Sequence, residues 1–310
     1  MANLITILNL VVCGFGAVLG TGTKGCKPFF KKVTSFWLTE QGFKYDSARV
    51  LNKEYIDELQ AEGKLIVVKG IKTFSDNSEE DVYETLDDGT KQLARLGLYE
   101  FAMKFIQGLH FNAALRSLST FAAYDITLID RDSNILGTRA ADGSLKGITL
   151  GYIQQAKLEW GTDSTGSKEG VMMQLTERDE IDINYVFIDN KSLDFNANMD
   201  LFGVNEINLE VVTPLLDSAV ELIVKATYKQ NGKAFPGADF EDFAMFVDGV
   251  SSDPTAGDDS VLAGTYPLTI AAAATNEVYT IELYDTGNNR EAIVIGGDLF
   301  KSNQTGGTVV

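Results

Sequence analysis

The alternation of apolar and polar positions is clearest in the middle of the chain. In Tyr99-Glu100-Phe101-Ala102-Met103-Lys104-Phe105 every second residue is large and apolar, the two-residue period of a half-buried strand. After Gly108 the period changes. Phe111, Ala114, Leu115 and Leu118 fall at helical spacing and predict a short amphipathic helix over Phe111–Ser119. Period two returns in Tyr124-Asp125-Ile126-Thr127-Leu128, followed by a turn at Asp132-Ser133-Asn134 and a returning strand at Ile135–Thr138. Leu96–Thr138 is thus a strand, a helix and a hairpin.

The same reading extends in both directions. Leu4–Gly20 is nearly all apolar, but Thr6, Asn9, Gly14 and Gly16 interrupt it, and it is shorter than the roughly 20 residues a membrane helix needs. It predicts a buried strand and a glycine-rich loop. Val33–Leu38 and Phe43–Asp46 read as strands. Asn52 caps a helix that runs to about Glu62 and stops at Gly63. Lys64–Lys69 reads as a short buried strand. Phe74–Gly89 carries seven acidic residues and reads as a solvated loop or a long hairpin arm turning at Asp88-Gly89. Further strands are predicted in Lys146–Trp160, Val171–Thr176 and Ile181–Ile188, the last from alternation of Ile181, Ile183, Tyr185 and Phe187 with polar neighbours.

Lys191–Asn205 is polar and weakly patterned, and marks a domain boundary. Beyond it short strands recur at Glu221–Tyr228, Phe243–Val247, Tyr266–Ile270, Val278–Tyr284 and Ala292–Ile295, with turn signals at Asn231-Gly232 and Asp248-Gly249. About 100 residues of this kind fit an immunoglobulin-like sandwich. The fold class expected is mainly β: a β-sandwich domain with one or two short helices over residues 1–195, an immunoglobulin-like domain over 206–301, and a loose tail at 302–310.

Charge narrows the functional classes. The formal net charge is −18, and the last 110 residues hold −11 of it. Without a cluster of Lys or Arg, a chain this acidic is not expected to bind nucleic acid through its phosphates. The excess acid either keeps the protein in solution or lines a passage along which DNA moves without sticking. The two cysteines, Cys13 and Cys26, are too few for a zinc site and fit either a disulfide or two free thiols.

No constellation of residues supports catalysis or a cofactor. Gly14, Gly16 and Gly20 have the spacing GxGxxxG and lack the elements that would make a dinucleotide loop. Asp130, Asp132 and Asn134 match the opening of a calcium loop, but Ile135 and Ala141 stand where it needs Gly and Glu, so a hairpin turn accounts for them. Asp253, Asp258 and Asp259 read as a solvated acidic loop. His110 has no nucleophile pattern around it and reads as a capping or packing residue. Trp37 and Trp160 are too sparse for a sugar platform. No enzyme activity, metal or cofactor is expected.

A resemblance supplies a class. The stretch from Asp88 to Thr138, with Gly89-Thr90-Lys91, Leu98-Tyr99-Glu100-Phe101, Leu115-Arg116-Ser117-Leu118 and Tyr124-Asp125-Ile126-Thr127-Leu128, resembles virion structural proteins of tailed phages, most of all tail tube proteins. The resemblance covers roughly the first 190 residues. It implies a tube-forming β-sandwich that stacks in homo-oligomeric rings, typically hexameric, around a channel through which DNA passes without specific binding. It also implies contacts with other virion proteins, location in the virion, no membrane, and a C-terminal immunoglobulin-like domain decorating the outside. On that reading the assembly interface involves Tyr99, Phe101 and Phe105 on the strand and Asp132 and Asn134 at the hairpin turn. A capsid or capsid-decoration protein, and then a surface adhesin, are the alternative classes.

Overall fold

The computed structural model describes residues 29–257, 264–287 and 290–310. The expectations for Leu4–Gly20, Cys13, Cys26, Asp258 and Asp259 lie outside them. The fold is mainly β. The chain divides into two compact units, residues up to Ile56 with Lys64–Leu201, and Asp57–Gly63 with Phe202–Val310.

The first unit contains, in order, β1 (Val33–Glu40), α1 (Lys53–Ala61, which crosses into the second unit's residues), β2 (Leu65–Lys69), β3 (Thr73–Asp76), β4 (Val82–Thr85), β5 (Lys91–Arg95), β6 (Glu100–Phe105), α2 (Leu109–Ser117), β7 (Thr120–Phe121), β8 (Tyr124–Asp130), β9 (Ile135–Arg139), β10 (Leu145–Lys146), β11 (Ile148–Glu159), β12 (Lys168–Leu175), α3 (Asp179–Asp182) and β13 (Tyr185–Ile188). Eleven strands form one continuous ladder with the central path β10-β9-β8-β11-β12-β6-β3. Off that path β1 joins β8 to β2, β13 pairs with β9, and β7 pairs with β11. Among the described strands of this unit, β4 and β5 alone stand apart, as a two-stranded sheet.

The strand β11 makes this arrangement possible. Its first residues pair with β8, through Ile148↔Ile126, and the rest with β12, from Leu150↔Leu175 to Glu159↔Lys168. The ladder therefore passes from one sheet into another, and the inner faces of the two share a core. Phe36, Leu38, Ile126 and Leu128 meet Phe101, Met103, Phe105, Val171 and Met173 there. Full burial of each such side chain contributes about 1.5–3 kcal/mol. Helix α2 covers this core with Leu115, its fully buried residue, supported by the half-buried Phe111. Its start is held by Glu169, which is wholly buried and accepts hydrogen bonds from the amides of Gln107 (2.9 Å) and Gly108 (3.1 Å). Helix α1 is capped as the sequence predicts, with the Tyr55 amide donating to Asn52 Oδ1 at 3.0 Å and Gly63 at φ +72°.

Two local expectations change within the first unit's strands. Phe43–Asp46 makes only an isolated bridge, Lys44 to Lys146, and is not a strand. The alternation through Ile181–Ile188 is half deceptive: Asp179–Asp182 is one turn of helix and only Tyr185–Ile188 is extended. Glu180 explains this. Its carboxylate accepts from the Thr149 amide (2.6 Å) and hydroxyl (2.8 Å) and from Lys146 (3.2 Å), and these bonds hold the turn against β11. Ile183 is left exposed.

The polar run after Lys191 is no linker at its start, so the first unit extends past residue 195 to Leu201. Its asparagines return to the β8–β9 turn. The buried Asp130 carboxylate accepts from four donors, the amides of Lys31 (3.0 Å), Asp132 (2.8 Å) and Asn134 (2.9 Å) and the Asn134 side chain (2.9 Å). Asn198 donates to the Asp130 carbonyl at 2.7 Å and to Ser133 Oγ at 3.0 Å, and Ser133 donates to Asn196 at 2.6 Å. Both oxygens of Asp130 are occupied by N–H donors, so this triplet closes a turn and offers no calcium-loop geometry.

The second unit is a two-sheet sandwich. Its strands are β14 (Asn205–Val211), β15 (Glu221–Tyr228), β16 (Phe243–Val247), β17 (Val250–Ser251), β18 (Ala256–Gly257), β19 (Thr265–Thr269), β20 (Val278–Leu283), β21 (Ile293–Ile295), β22 (Asp298–Ser302) and β23 (Thr305–Thr308). One sheet has the order β18-β19-β15-β14-β22-β21 and the other β17-β16-β20-β23. Leu222, Val224 and Tyr266 from the first face Phe243, Met245 and Ile281 from the second, with the Phe243 and Tyr266 rings 5.2 Å apart. The expected loose tail at 302–310 is instead β23, paired with β20 and followed by the buried Val309. Its composition is polar, but Gly306 lets the strand lie close: a Cβ there would run into the Tyr279 backbone.

Two outcomes follow for stability. Asp130→Ala strands four N–H donors and is expected to cost about 3 kcal/mol or more in the urea unfolding of the first unit, read by the fluorescence of Trp37. Gly306→Ala is expected to lower the second unit's stability by about 1–3 kcal/mol, measured by thermal unfolding, because the tyrosine carbonyl behind it belongs to a sheet backbone.

Candidate functional site

The five residues expected at an assembly interface fall in two places. Tyr99, Phe101 and Phe105 lie together on and beside β6, and Asp132 and Asn134 lie together at the β8–β9 turn. Phe101 and Phe105 point into the core. Phe101 packs on Phe74 and Tyr99 with ring centroids 5.1 Å and 6.1 Å away, and Phe105 packs on Phe111 at 4.9 Å. Strand β6 is hydrogen-bonded to β12 on one side and β3 on the other. Neither its phenylalanines nor its edges are free for a neighbour, in contrast to the expectation for this strand. Asn134 is buried within the Asp130 turn. Asp132 is exposed and pairs with Lys31 at 2.5 Å, a surface ion pair of small energetic weight.

The surface that does project is the β4–β5 hairpin. Every residue of both strands is exposed, on both faces. Tyr83 and Leu93 sit opposite each other, and with Val82, Leu86 and Leu96 they leave five large apolar side chains 43–56% exposed. The tip is a tight turn. Leu86 N–H donates to Thr90 O, Gly89 takes φ +82°, and Asp88 accepts from the amide and hydroxyl of Thr90, which holds its carboxyl below the usual range. Glu79, Glu80, Asp81, Glu84, Asp87 and Asp88 outnumber Lys91 and Arg95, so the arm is acidic as well as apolar. A two-stranded ribbon of this kind is marginal in water without a covering partner.

The base of the arm is fixed by a cluster that joins three distant segments. Asp81 Oδ1 accepts from the Gly97 amide (2.9 Å) and from Arg178 Nη1 (2.6 Å). Arg178 Nε donates to Asp182 Oδ2 at 2.6 Å, and the Tyr99 hydroxyl donates to Asp182 Oδ1 at 2.6 Å. The guanidinium also lies 5.9 Å from the Tyr99 ring centre. The Gly97 N–H, and then Arg178, hold the Asp81 carboxyl below its ordinary range, while the bond to Asp182 pushes Arg178 further up. Burial, and then Asp182, raise the Tyr99 hydroxyl. Backbone bonds from Asn77 to Glu100 (2.8 Å) and from Glu79 to Leu98 (3.2 Å) complete the clasp. Gly97 is required there, since a Cβ would strike the Glu79 carbonyl.

The acidic run around Arg178 reads in sequence as a solvated strand start. Its role as a clasp rests on a contact to Asp81, 97 positions away, and no local pattern carries that signal. His110 is exposed in the first turn of α2. Asp253 accepts from the Met245 amide at 3.3 Å and the Ser251 hydroxyl at 3.2 Å. Among the described residues no group of three or more His, Cys, Asp or Glu is placed to hold a metal, and no helix is long and apolar enough to cross a membrane. No protein-family model matches the chain, and no curated protein matches its sequence. What stands out in the described structure is an exposed hairpin arm whose base is clasped by Asp81 and Arg178.

Asp81→Ala is expected to open the base of this arm. Amide exchange at Gly97 should accelerate and proteolytic cleavage within residues 82–95 should speed up several-fold, with little change in the core amides of β8. The wild-type clasp has a defined pH window. Because the folded carboxyl of Asp81 titrates below its unfolded value of about 3.9, its contribution is present above that pH and is lost as pH falls through the folded value.

Proposed function

We propose that this chain is a phage virion structural protein, a tail tube subunit whose first unit assembles into stacked rings around a DNA channel. The observation that carries the reading is the β4–β5 hairpin: a clamped arm, exposed on both faces, with Tyr83 and Leu93 opposite each other and no second layer beneath it among the described residues. An arm of this kind gains its missing burial by lying on a neighbouring subunit. Closed rings of identical chains supply such a neighbour to every arm. The mainly β body, the separate C-terminal sandwich and the sequence resemblance across roughly the first 190 residues agree with this plan.

By the same resemblance the rings are hexameric, other virion proteins cap or extend them, and the second unit decorates the exterior. Assembly takes place in the host cytoplasm and the product resides in the virion. The first 200 residues carry net charge −7 of the chain's −18, and a net negative wall is one past which DNA slides without specific binding. The longest helices among the described residues have nine residues, which speaks for a tube rather than for a capsid protein built on a long spine helix.

Negative-stain microscopy and light scattering on the purified protein test the proposal. Wild-type protein at rising concentration should yield rings or short tubes. A variant with residues 82–95 replaced by a short glycine linker should stay monomeric with both units folded. A wild-type chain that remains a monomer at every concentration, or that locates to phage heads, would sink the reading.

A further inference from the structure

The β1–β8 pair has two unlike faces. Phe36, Leu38, Ile126 and Leu128 point into the shared core. The alternate residues Trp37, Thr39, Asp125 and Thr127 point the other way and are just as completely buried, none more than 2% exposed. The antiparallel register sets Trp37 opposite Thr127 and Thr39 opposite Asp125, so the four side chains are immediate cross-strand neighbours. Tyr45, 1% exposed, lies over them beside Thr127, Asp125 and Tyr55, and burial drives its hydroxyl well above the ordinary tyrosine range.

What distinguishes this face is its unmet hydrogen bonding. Six buried side-chain polar atoms among the described residues have no partner, and five of them are here: Trp37 Nε1, Thr39 Oγ1, Tyr45 Oη, Asp125 Oδ1 and Thr127 Oγ1. The Tyr45 and Thr127 hydroxyls are close, yet not in hydrogen-bonding geometry with each other. Asp125 is half satisfied. Its Oδ2 accepts from the Gly42 amide at 2.8 Å and faces Lys146 Nζ at 3.6 Å, and Lys146 is shared with Glu180 at 3.2 Å. Native interiors do not leave five neighbouring polar atoms orphaned.

We infer that the outer face of the β1–β8 pair encloses a sealed hydration site, in which ordered internal water bridges Trp37, Thr39, Tyr45, Asp125 and Thr127. The chemistry of the five atoms selects the occupant. The indole N–H only donates and needs an acceptor. The free carboxylate oxygen needs a donor, and the three hydroxyls take either role. A metal cation would satisfy the oxygens and be repelled by the indole N–H, and Lys146 already supplies the positive charge beside Asp125. An apolar guest would satisfy none of them. Water is small enough to enter a protein interior, donates and accepts, and ordinarily makes about three bonds there. The site stands on geometry inside the first unit and is independent of the assembly reading.

Thr127→Val and Thr39→Val test it, because each deletes a hydroxyl at nearly constant shape and both residues suit a strand. With water in place, each variant takes a partner from a bound molecule, and the thermal midpoint of the full-length protein should fall. In a dry site the same change removes an orphaned hydroxyl, so a midpoint that is unchanged or higher overturns the inference. A crystal structure better than about 1.8 Å is the second measurement. Water density within hydrogen-bonding distance of Asp125 Oδ1 and of at least one hydroxyl is expected. Direct contacts among the five side chains with no such density would overturn the site even if the variants unfold.

Discussion

A single strand that belongs to two sheets is the constraint on which the first unit depends. β11 leaves its pairing with β8 after Thr149 and continues against β12, with a register shift between Leu150 and Tyr152. Because the strand is continuous, the two sheets cannot separate, and Ile148, Leu150 and Ile153 all reach one core. Gly147 and Gly151 flank the crossing. At Gly147 a Cβ would come within 2.9 Å of the Asp125 Cβ and 3.0 Å of the backbone behind it, so glycine eases the close approach of β8 and β11. Helix α2 then lies over the junction, its Asn112 tied to Gln155 of β11 through a carbonyl bond of 2.8 Å.

Around that hydrophobic frame, carboxylates do the positioning. Asp130 gathers a turn, Glu169 holds the start of α2, Glu180 docks α3 on β11, and Asp81 closes the base of the arm. Each accepts backbone N–H groups that would otherwise be stranded, which is why they are placed where regular strands end. The strong acidity of the chain is thus partly structural. These four carboxylates hold loops in place, while Glu80, Glu84 and Asp87 on the β4–β5 arm are exposed.

The arm and the hydration site are opposite answers to incomplete burial. On the arm, apolar side chains face solvent from a ribbon whose base is clamped, and no described residue of the chain covers them. On the outer face of β1–β8, polar side chains are sealed from solvent, so the missing contact must come from something small enough to sit within. The first is the feature on which the proposed assembly rests. The second bears on how a sheet can carry polar side chains on a buried face and still pack.

Local pattern determined much of the chain by itself. The alternation in Tyr99–Phe105 and Tyr124–Leu128, the Asn52 cap, the Asp88-Gly89 turn and the short strands after residue 206 are all set by interactions within a few residues, and the structure has each of them. A half-buried strand or a capped helix needs only its own periodicity to be legible. Where that logic failed, a distant partner decided the outcome. Ile181–Asn184 alternates but lost its strand form to Glu180 and its bonds to Thr149 and Lys146. The polar tail became a strand because Tyr279 and Ile281 offered an edge. The resemblance to tail tube proteins puts Tyr99, Phe101 and Phe105 at an interface, and period two could not test that, because it reveals that one face is apolar without revealing what covers it. Only the tertiary structure showed that the cover is the chain's own core, and that Arg178 reaches back 97 positions to brace the arm left outside.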